Sequence, residues 1–160
     1  MKKKQPELKN ITNRRARFDY ELGEEIVAGL SLTGAEVRAI RDNRVSLKGA
    51  FITIRSGKKG GELWLNNASF SLKNSKFGEQ GENLIDTSPK KLLATRAQIS
   101  NLEKQKKSGM TIVPIKILAG KRYIKIVIAA GKGKKQHDKR ETLKRRAADR
   151  ESAKNIKRVL

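Results

Sequence analysis

The feature that most constrains the fold of this chain is a pair of β-branched runs in its carboxyl-terminal half. Residues 111–118 and 122–128 are rich in Ile and Val, and residues 119–121, which include a glycine, supply a turn between them. Every second residue from Ile124 to the end of the run is an isoleucine, so one face of the second run is apolar. The runs predict a β-hairpin, and Pro114 predicts an edge position or a bulge in its first strand.

The amino-terminal part of the chain combines a strand signal with a helix signal. Residues 16–32 alternate partially between apolar and polar side chains, which predicts a long strand with room for a bulge. Thr33 and Glu36 have the spacing of a capping box, in which each side chain satisfies an exposed amide of the helix start. We therefore expect a helix to begin there and to end near Asn43.

Further strand signals follow in the middle of the chain. Residues 50–55 and 62–66 flank the glycine-containing residues 56–61 and predict a second hairpin. Residues 69–89 show no periodicity and are interpreted as a long loop. Residues 91–94 are a short strand candidate.

A second helix is predicted after Thr95, whose hydroxyl can cap it. Ile99 and Leu102 would share its apolar face, and Ser108 with the glycine after it would end it. Short strands, an inserted helix and glycine-rich turns are typical of small closed barrels. The predicted fold class is therefore mainly β: a small oligonucleotide-binding-like barrel over residues 13–131, with two or three helices and a basic tail.

The charge of the chain indicates the kind of partner it binds. Its formal net charge is +22, which favours a nucleic acid, an anionic membrane or an acidic protein. Apolar runs stay well short of the roughly 20 residues of a spanning helix, and the first residues lack the apolar stretch of a secretory signal. We therefore expect a cytoplasmic protein without a membrane partner.

The residue types that are absent exclude most catalytic designs. Without cysteine there is no thiolate nucleophile, disulfide or cysteine-built zinc site, and the single histidine, His137, excludes a multi-histidine metal centre. The carboxylates of Glu24 and Glu25 have no paired acid at a recognisable spacing, and Glu36 is already assigned to the helix cap. We expect neither an enzyme nor a bound cofactor or metal.

Both ends of the chain are basic. Residues 1–12 are expected to be flexible, and residues 132–160 contain twelve Lys or Arg against four Asp or Glu. A helix is predicted from about Asp138, but its apolar stripe soon gives way to charge, so it would be marginal alone in water. Two interpretations stay open: a solvated, disordered terminus, or a tail that is disordered when free and folds on RNA.

Candidate RNA contacts lie in three basic stretches. Arginine can pair phosphates in bidentate fashion and asparagine can bond a base edge or ribose, while the ring of His137 can stack on a base. The run at residues 104–107 is better explained as the exposed face of a helix. The predicted RNA-binding residues are Asn13, Arg14, Arg15, Arg17, Lys90, Lys91, Lys132, Lys134 and Lys135.

Aromatic side chains are scarce for a single-strand binder, which usually stacks successive bases on an aromatic platform. Trp64 and Tyr123 fall on polar-alternating faces and could stack, although core packing is the commoner role. The scarcity favours recognition of folded RNA by its phosphates and shape.

Several short motifs, in their order and spacing, carry a resemblance to a known family. They are residues 13–17 (Asn-Arg-Arg-Ala-Arg), 28–30 and 34–38, the Lys-Lys-Leu-Leu of 90–93, Val-Pro at 113–114, and above all residues 131–140, Gly-Lys-Gly-Lys-Lys-Gln-His-Asp-Lys-Arg. From residue 13 to the tail the chain resembles the small protein B family, the bacterial SsrA-binding proteins.

That resemblance implies an adaptor for transfer-messenger RNA on stalled ribosomes. The barrel would grip the transfer-RNA-like domain, and the tail would enter the small subunit's decoding centre and messenger channel as a helix. His137, Asp138, Lys139 and Arg140 would contact the decoding centre. Two positions depart from some relatives: Val27 stands in place of a glutamate implicated in RNA binding, and Ala148 aligns with a tryptophan. The protein would be a monomer, and the alternative is a basic ribosomal or ribosome-assembly protein that binds folded RNA structurally.

Overall fold

The architecture was determined from a computed structural model that describes residues 9–57, 60–72, 84–135, 138–141, 143–145, 147–148 and 150–151. Most of the predicted flexible segment, residues 1–8, lies outside these ranges. The elements, in chain order, are β1 Ile11–Thr12, α1 Arg14–Asp19, β2 Tyr20–Leu30, α2 Gly34–Arg41, β3 Val45–Ser46, β4 Phe51–Gly57, β5 Gly60–Asn66, β6 Ser69–Leu72, β7 Leu84–Asp86, β8 Lys90–Leu93, α3 Arg96–Lys107, β9 Thr111–Ala119 and β10 Ile124–Gly133.

Six of the strands form a nearly closed barrel. The order β9-β10-β2-β8-β5-β4 returns to β9 through a pairing of Ile52 with Ile112, and β1 adds to the same sheet beside β9. This closure removes most of the exposed strand edge that an open sheet would leave. The predicted mainly β barrel is confirmed.

Alternating side chains of the barrel strands fill its interior. Leu63 and Leu65 on β5 meet Ile126 and Ile128 on β10 in one cluster, and all four are fully buried. Leu102 of α3, equally buried, belongs to the same cluster. Burying a side chain of this size contributes about 1.5–3 kcal/mol, so the cluster is the main source of stability of the barrel.

The predicted carboxyl-terminal hairpin is present, with a longer second strand than expected. β10 continues to Gly133, and its residues 131–133 pair with the start of β2. The register of β9 against β10 shifts at residues 114–116, which confirms the bulge alternative for Pro114. The edge alternative is wrong, because β9 has strands on both sides.

Residues 16–19 belong to helix α1, so the prediction that the long strand begins at residue 16 is wrong. Asn13 caps this helix, and Ala16 is its buried residue. A six-residue helix is too short to show a helical period in the sequence, so the alternating signal of β2 masked it. β2 starts at Tyr20, and a register shift opposite residues 129–131 gives it the expected bulge.

Both longer helices begin as predicted. Thr33 and Glu36 form the complete capping box of α2, which ends at the cap residue Asp42. Thr95 caps α3 and forms a second capping box with Gln98, and Ser108 closes that helix.

The interpretation of residues 69–89 as a structureless loop is wrong at both ends. β6 and β7 pair with each other, and β3 adds to β6 to make a small three-stranded sheet outside the barrel. Strands of four and three residues are too short for alternation to be visible in a sequence. Residues 73–83 lie outside the described part of the chain.

Candidate nucleic-acid interface

The run at residues 13–17 divides into one buried anchor and three exposed cations. Asn13 is only 7% exposed, and its Nδ2 donates to the carbonyl oxygen of Pro114 at 3.0 Å while its Oδ1 accepts from the amide of Ala16. Its own backbone amide donates to Ile115 at 2.7 Å. Asn13 therefore positions α1 on the bulge of β9, and its side chain is almost entirely buried.

Arg14 and Arg15 lie exposed beside a groove of about 250 Å³. We call it the arginine groove, and it is formed by residues 11–15 together with 45–48. Lys48, which the sequence analysis did not single out, joins the two arginines there. No ion pair neutralises these three cations among the residues that the structure describes. Their charges are available to phosphate groups.

Lys48 was missed because it is a single lysine among the otherwise uncharged residues 45–51. It comes to the arginines through the loop after α2, where Asn43 has a positive φ of 56° and residues 45–46 pair with β6. Only the fold brings this segment beside α1, so no local signal could have found it.

The tail leaves the barrel next to α1. We call residues 132–135 the tail root. The amide of Lys134 donates to the carbonyl oxygen of Asp19 at 2.8 Å. Just beyond the tail root, Nζ of Lys139 pairs with the Asp19 carboxylate at 2.9 Å. Nζ of Lys134 also reaches the carbonyl oxygen of Arg17 at 3.4 Å. Of the predicted contacts, Lys134 therefore lies beside Arg17, while Lys132 is opposite Glu21 of β2 and Lys135 is exposed. Asp19 is the anchor that the sequence analysis missed.

Arg17 is partly neutralised by a neighbour. Its guanidinium pairs with Glu25 at 3.0 Å, although both side chains keep much of their surface in water. Such an exposed pair contributes little and yields readily to a stronger anion. A phosphate can replace Glu25 without leaving a buried charge behind.

The described residues of the tail between 138 and 151 are helical. Leu143, the largest apolar side chain among them, is 50% exposed, and Ala147 and Ala148 are exposed as well, so none of the described apolar side chains of this helix is buried. Asp138 accepts from the amide of Lys135 at 3.2 Å at the helix start. Arg140 is exposed. His137, predicted to contact the decoding centre, lies outside the described residues.

The two lysines predicted on β8 have different surroundings. Lys90 is buried, and its ammonium group pairs with Glu36 and with Asp86, each at 2.6 Å, and donates to Oγ of Ser88. This arrangement joins α2 to the small sheet and does not favour a contact between Lys90 and RNA. Lys91 is half-exposed and pairs with Glu62 at 2.7 Å. β8 is separated from β10 by β2, so neither lysine belongs to the tail root.

The charges around Lys90 are mutually stabilised. Burial acts to lower the pKa of Lys90, but hydrogen bonds and charges from Asp86 and Glu36 outweigh it, and the pKa is raised. The hydrogen bond from Lys90, followed by one from the amide of Ser88, lowers the pKa of Asp86 to about 2. Lys90 and Asp86 are therefore both charged at neutral pH.

The aromatic side chains form no continuous platform in the described chain. Tyr123 is 63% exposed with Arg122 over its ring, while the ring of Trp64 lies under Arg55. Phe70 is fully buried, and Phe77 lies outside the described residues.

The described helices include none with the length and apolar character needed to cross a membrane. Within the same residues, His, Asp and Glu side chains form no group of three that could hold a metal ion.

Comparison with known proteins matches almost the whole sequence to one family. The family model described as "SmpB protein" matches residues 10–158, which include both the barrel and the tail. The chain belongs to the SmpB family. Among SmpB relatives, the SsrA-binding protein of Enterococcus hirae is 40% identical over 149 residues, which is 91% of this chain and 90% of that protein. The SsrA-binding protein of a Nostoc species is 41% identical over 159 residues, covering 98% and 99% of the two chains.

A solved structure resembles the fold as well. It is described as "tmRNA-SmpB: a journey to the center of the bacterial ribosome", and its matching chain has a TM-score of 0.62 and 31% sequence identity. The match covers 84% of this chain and 94% of the other. The resemblance to the small protein B family found in the sequence is thereby confirmed.

Proposed function

We propose that this protein is an RNA-binding adaptor that binds the transfer-RNA-like domain of transfer-messenger RNA and delivers it to stalled ribosomes for trans-translation. The observation that carries this conclusion is the SmpB match over residues 10–158, together with a solved relative described on the ribosome with transfer-messenger RNA. Its partners are that RNA and the ribosome.

The barrel is proposed to select the RNA. Arg14, Arg15 and Lys48 present unpaired charges at the arginine groove, and Arg17 carries a charge that is only loosely paired. Phosphate contacts of this kind fix register and orientation, and they make binding steeply dependent on salt. Asn13 contributes by holding α1 in place.

The tail is proposed to act on the ribosome. Residues 138–140, with His137 before them, would contact the small-subunit decoding centre, and the helix beyond would lie in the messenger channel. What supports this role is a helix in which most of the described side chains are exposed and no described apolar side chain is buried. Such a helix can exchange its few contacts with the barrel for contacts with RNA.

In this proposal the protein itself catalyses no reaction. The family is one of RNA-binding proteins, and we propose that peptide transfer is left to the ribosome, that no cofactor takes part, and that the protein works as a monomer in the bacterial cytoplasm.

Competition in a gel-shift assay tests the proposal. The full chain, bound to a labelled transfer-RNA-like domain at physiological salt, is challenged with unlabelled domain or with an unrelated folded RNA of equal length. We expect the matched RNA to compete at a concentration at least tenfold lower. Equal competition would favour the alternative, a ribosomal or assembly protein that binds folded RNA without selection.

A further inference from the structure

A second groove lies away from α1, between α3 and the β4–β5 hairpin. It has a volume of about 550 Å³, and the residues that line it include Ile54, Gly60, Gly61, Glu103, Lys106 and Lys107. We call it the α3 groove. Its lining combines an apolar floor, two lysines and one carboxylate.

Glycines keep the floor of the α3 groove open. Gly60 has a φ of +114°, which a residue with a side chain rarely adopts. A Cβ at Gly61 would collide with the carboxylate of Glu103 and approach Cγ2 of Ile99 to 3.0 Å. Any larger residue at Gly61 would therefore displace Glu103 and fill the space.

Lys106 and Lys107 are the cations of the α3 groove. The guanidinium of Arg55 lies 5.1 Å from the centroid of Trp64 and donates to Oδ1 of Asn66 at 3.5 Å, on the face of the hairpin opposite to Ile54 and Gly61. Within the described ranges, neither lysine has an ion-pair partner. Their charges are available to an anion in the groove.

From this combination we infer that the α3 groove holds one ribonucleotide of an RNA strand. Lys106 and Lys107 neutralise the flanking phosphates, and the base or ribose lies on Ile54 and the glycines. The carboxylate of Glu103 is repelled by phosphate but accepts a hydrogen bond from a ribose 2′-hydroxyl, the group that distinguishes RNA from DNA. An acidic protein segment would gain from the cations but would bring further carboxylates beside Glu103, and these like charges repel each other.

The position of the groove suits an adaptor that joins two RNAs. Thr111, just after α3, pairs with Gly131, so the lysine-rich end of α3 and the tail root lie at the same end of the β9–β10 hairpin. RNA that follows the tail out of the barrel would pass this end. The inference rests on the proposed function and adds to it a contact surface other than the arginine groove.

Nuclear magnetic resonance of the full, ¹⁵N-labelled chain tests the inference with a single-stranded RNA of about ten nucleotides and the DNA of the same sequence. We expect the amides of Gly60, Gly61 and Glu103 to shift with RNA and to shift less with DNA. Lys106→Ala with Lys107→Ala should abolish these shifts and reduce the salt slope of binding by about two. Lys104→Ala, a matched control on the same helix end but outside the groove, should leave the shifts in place. Glu103→Gln should narrow the difference between RNA and DNA.

Two results would overturn the inference: no RNA-dependent shifts at these amides in the unmodified chain, or equal shifts with a ten-residue polyglutamate peptide. A gel shift with the transfer-RNA-like domain, run in parallel, separates the two proposals. Normal binding of that domain without shifts at the groove contradicts only the present inference. Shifts at the groove with no preference for that domain contradict only the proposed function.

Discussion

The side-chain amide of Asn13 donates a hydrogen bond to the carbonyl oxygen of Pro114 at 3.0 Å, across 101 positions of the sequence. The bulge of β9 turns that carbonyl oxygen toward α1, and the amide of Asn13 takes the next carbonyl, that of Ile115. One buried residue thus sets the position of the exposed arginines that follow it.

Replacing Asn13 with Ala is expected to lower stability by about 1–3 kcal/mol, because it removes a helix cap and leaves a buried carbonyl oxygen without its donor. Urea unfolding measures the change, and RNA affinity should fall with it. Arg15→Ala is the matched control: it should leave the unfolding midpoint almost unchanged while lowering the salt slope of RNA binding by about one. Equal stability of the two variants would contradict this division of roles.

Replacing Lys90 with Met is expected to destabilise the protein by about 3–5 kcal/mol, because Glu36 and Asp86 would be left as neighbouring carboxylates without their shared cation. Adding Asp86→Asn to Lys90→Met should restore part of the loss. Thermal and urea unfolding are the measurements. Lys91→Ala, which removes a half-exposed pair from the same strand, should have a small effect, and a comparable loss there would argue against a special role for burial.

The decrease of folding stability at acidic pH should depend on Asp86. Its pKa is lowered to about 2 from an ordinary value near 3.8, so its contribution is complete above the ordinary value and is lost as the pH falls from about 4 toward 2. Asp86→Asn should therefore be less stable than the original chain at pH 6, with the difference shrinking through that window. A difference that stays constant down to pH 2 would show that Asp86 acts without its charge.

The pair between Lys139 and Asp19 is predicted to hold the start of the tail helix against the barrel. Both side chains are about one-third exposed, so Asp19→Asn should cost less than about 1 kcal/mol of global stability. The expected change is local: faster amide exchange and lower order parameters at residues 138–141. Glu25→Gln, which breaks the neighbouring Arg17 pair, should leave those amides unaffected.

A chain that stops after Lys135 is expected to keep the barrel and its binding of the transfer-RNA-like domain but to lose peptide tagging on stalled ribosomes. Stopping after Ala130 is a less clean test, because it removes residues 131–133 from their pairing with β2. Gel shifts and a tagging assay in cell extract measure the two activities. Normal tagging by the shorter chain would refute the role proposed for the tail.

Strong local signals in the sequence predicted most of the barrel. The isoleucine alternation after Ile124 and the two threonine caps involve neighbouring residues. The strand and the two helix starts that they form could therefore be predicted from the sequence alone. Helix α1 and the pair β6–β7 were not predicted, because elements of three to six residues are stabilised by tertiary contacts rather than by their own pattern.

The sequence predicted which segments of the candidate site are basic, but it did not predict which of their residues are exposed and which are buried. The sequence singled out residues 13–17 and the tail root as basic, and the structure presents Arg14 and Arg15 at a groove. Charge alone could not distinguish the buried Lys90 from its exposed neighbour, because the carboxylates around it come from α2 and the small sheet. Lys48 and Asp19 reach the interface only through the fold.

The dependence of α1 on the bulge of β9 has a consequence for synthesis of the protein. Synthesis runs from the amino terminus, so Arg14 and Arg15 are made early. The residues that position them, 114–117, follow about a hundred positions later. Until β9 has been synthesised, the arginines carry their charge but are not held in fixed positions. Fragments that end before β9 would therefore bind RNA weakly and without selection, so only a nearly finished chain competes for the correct partner.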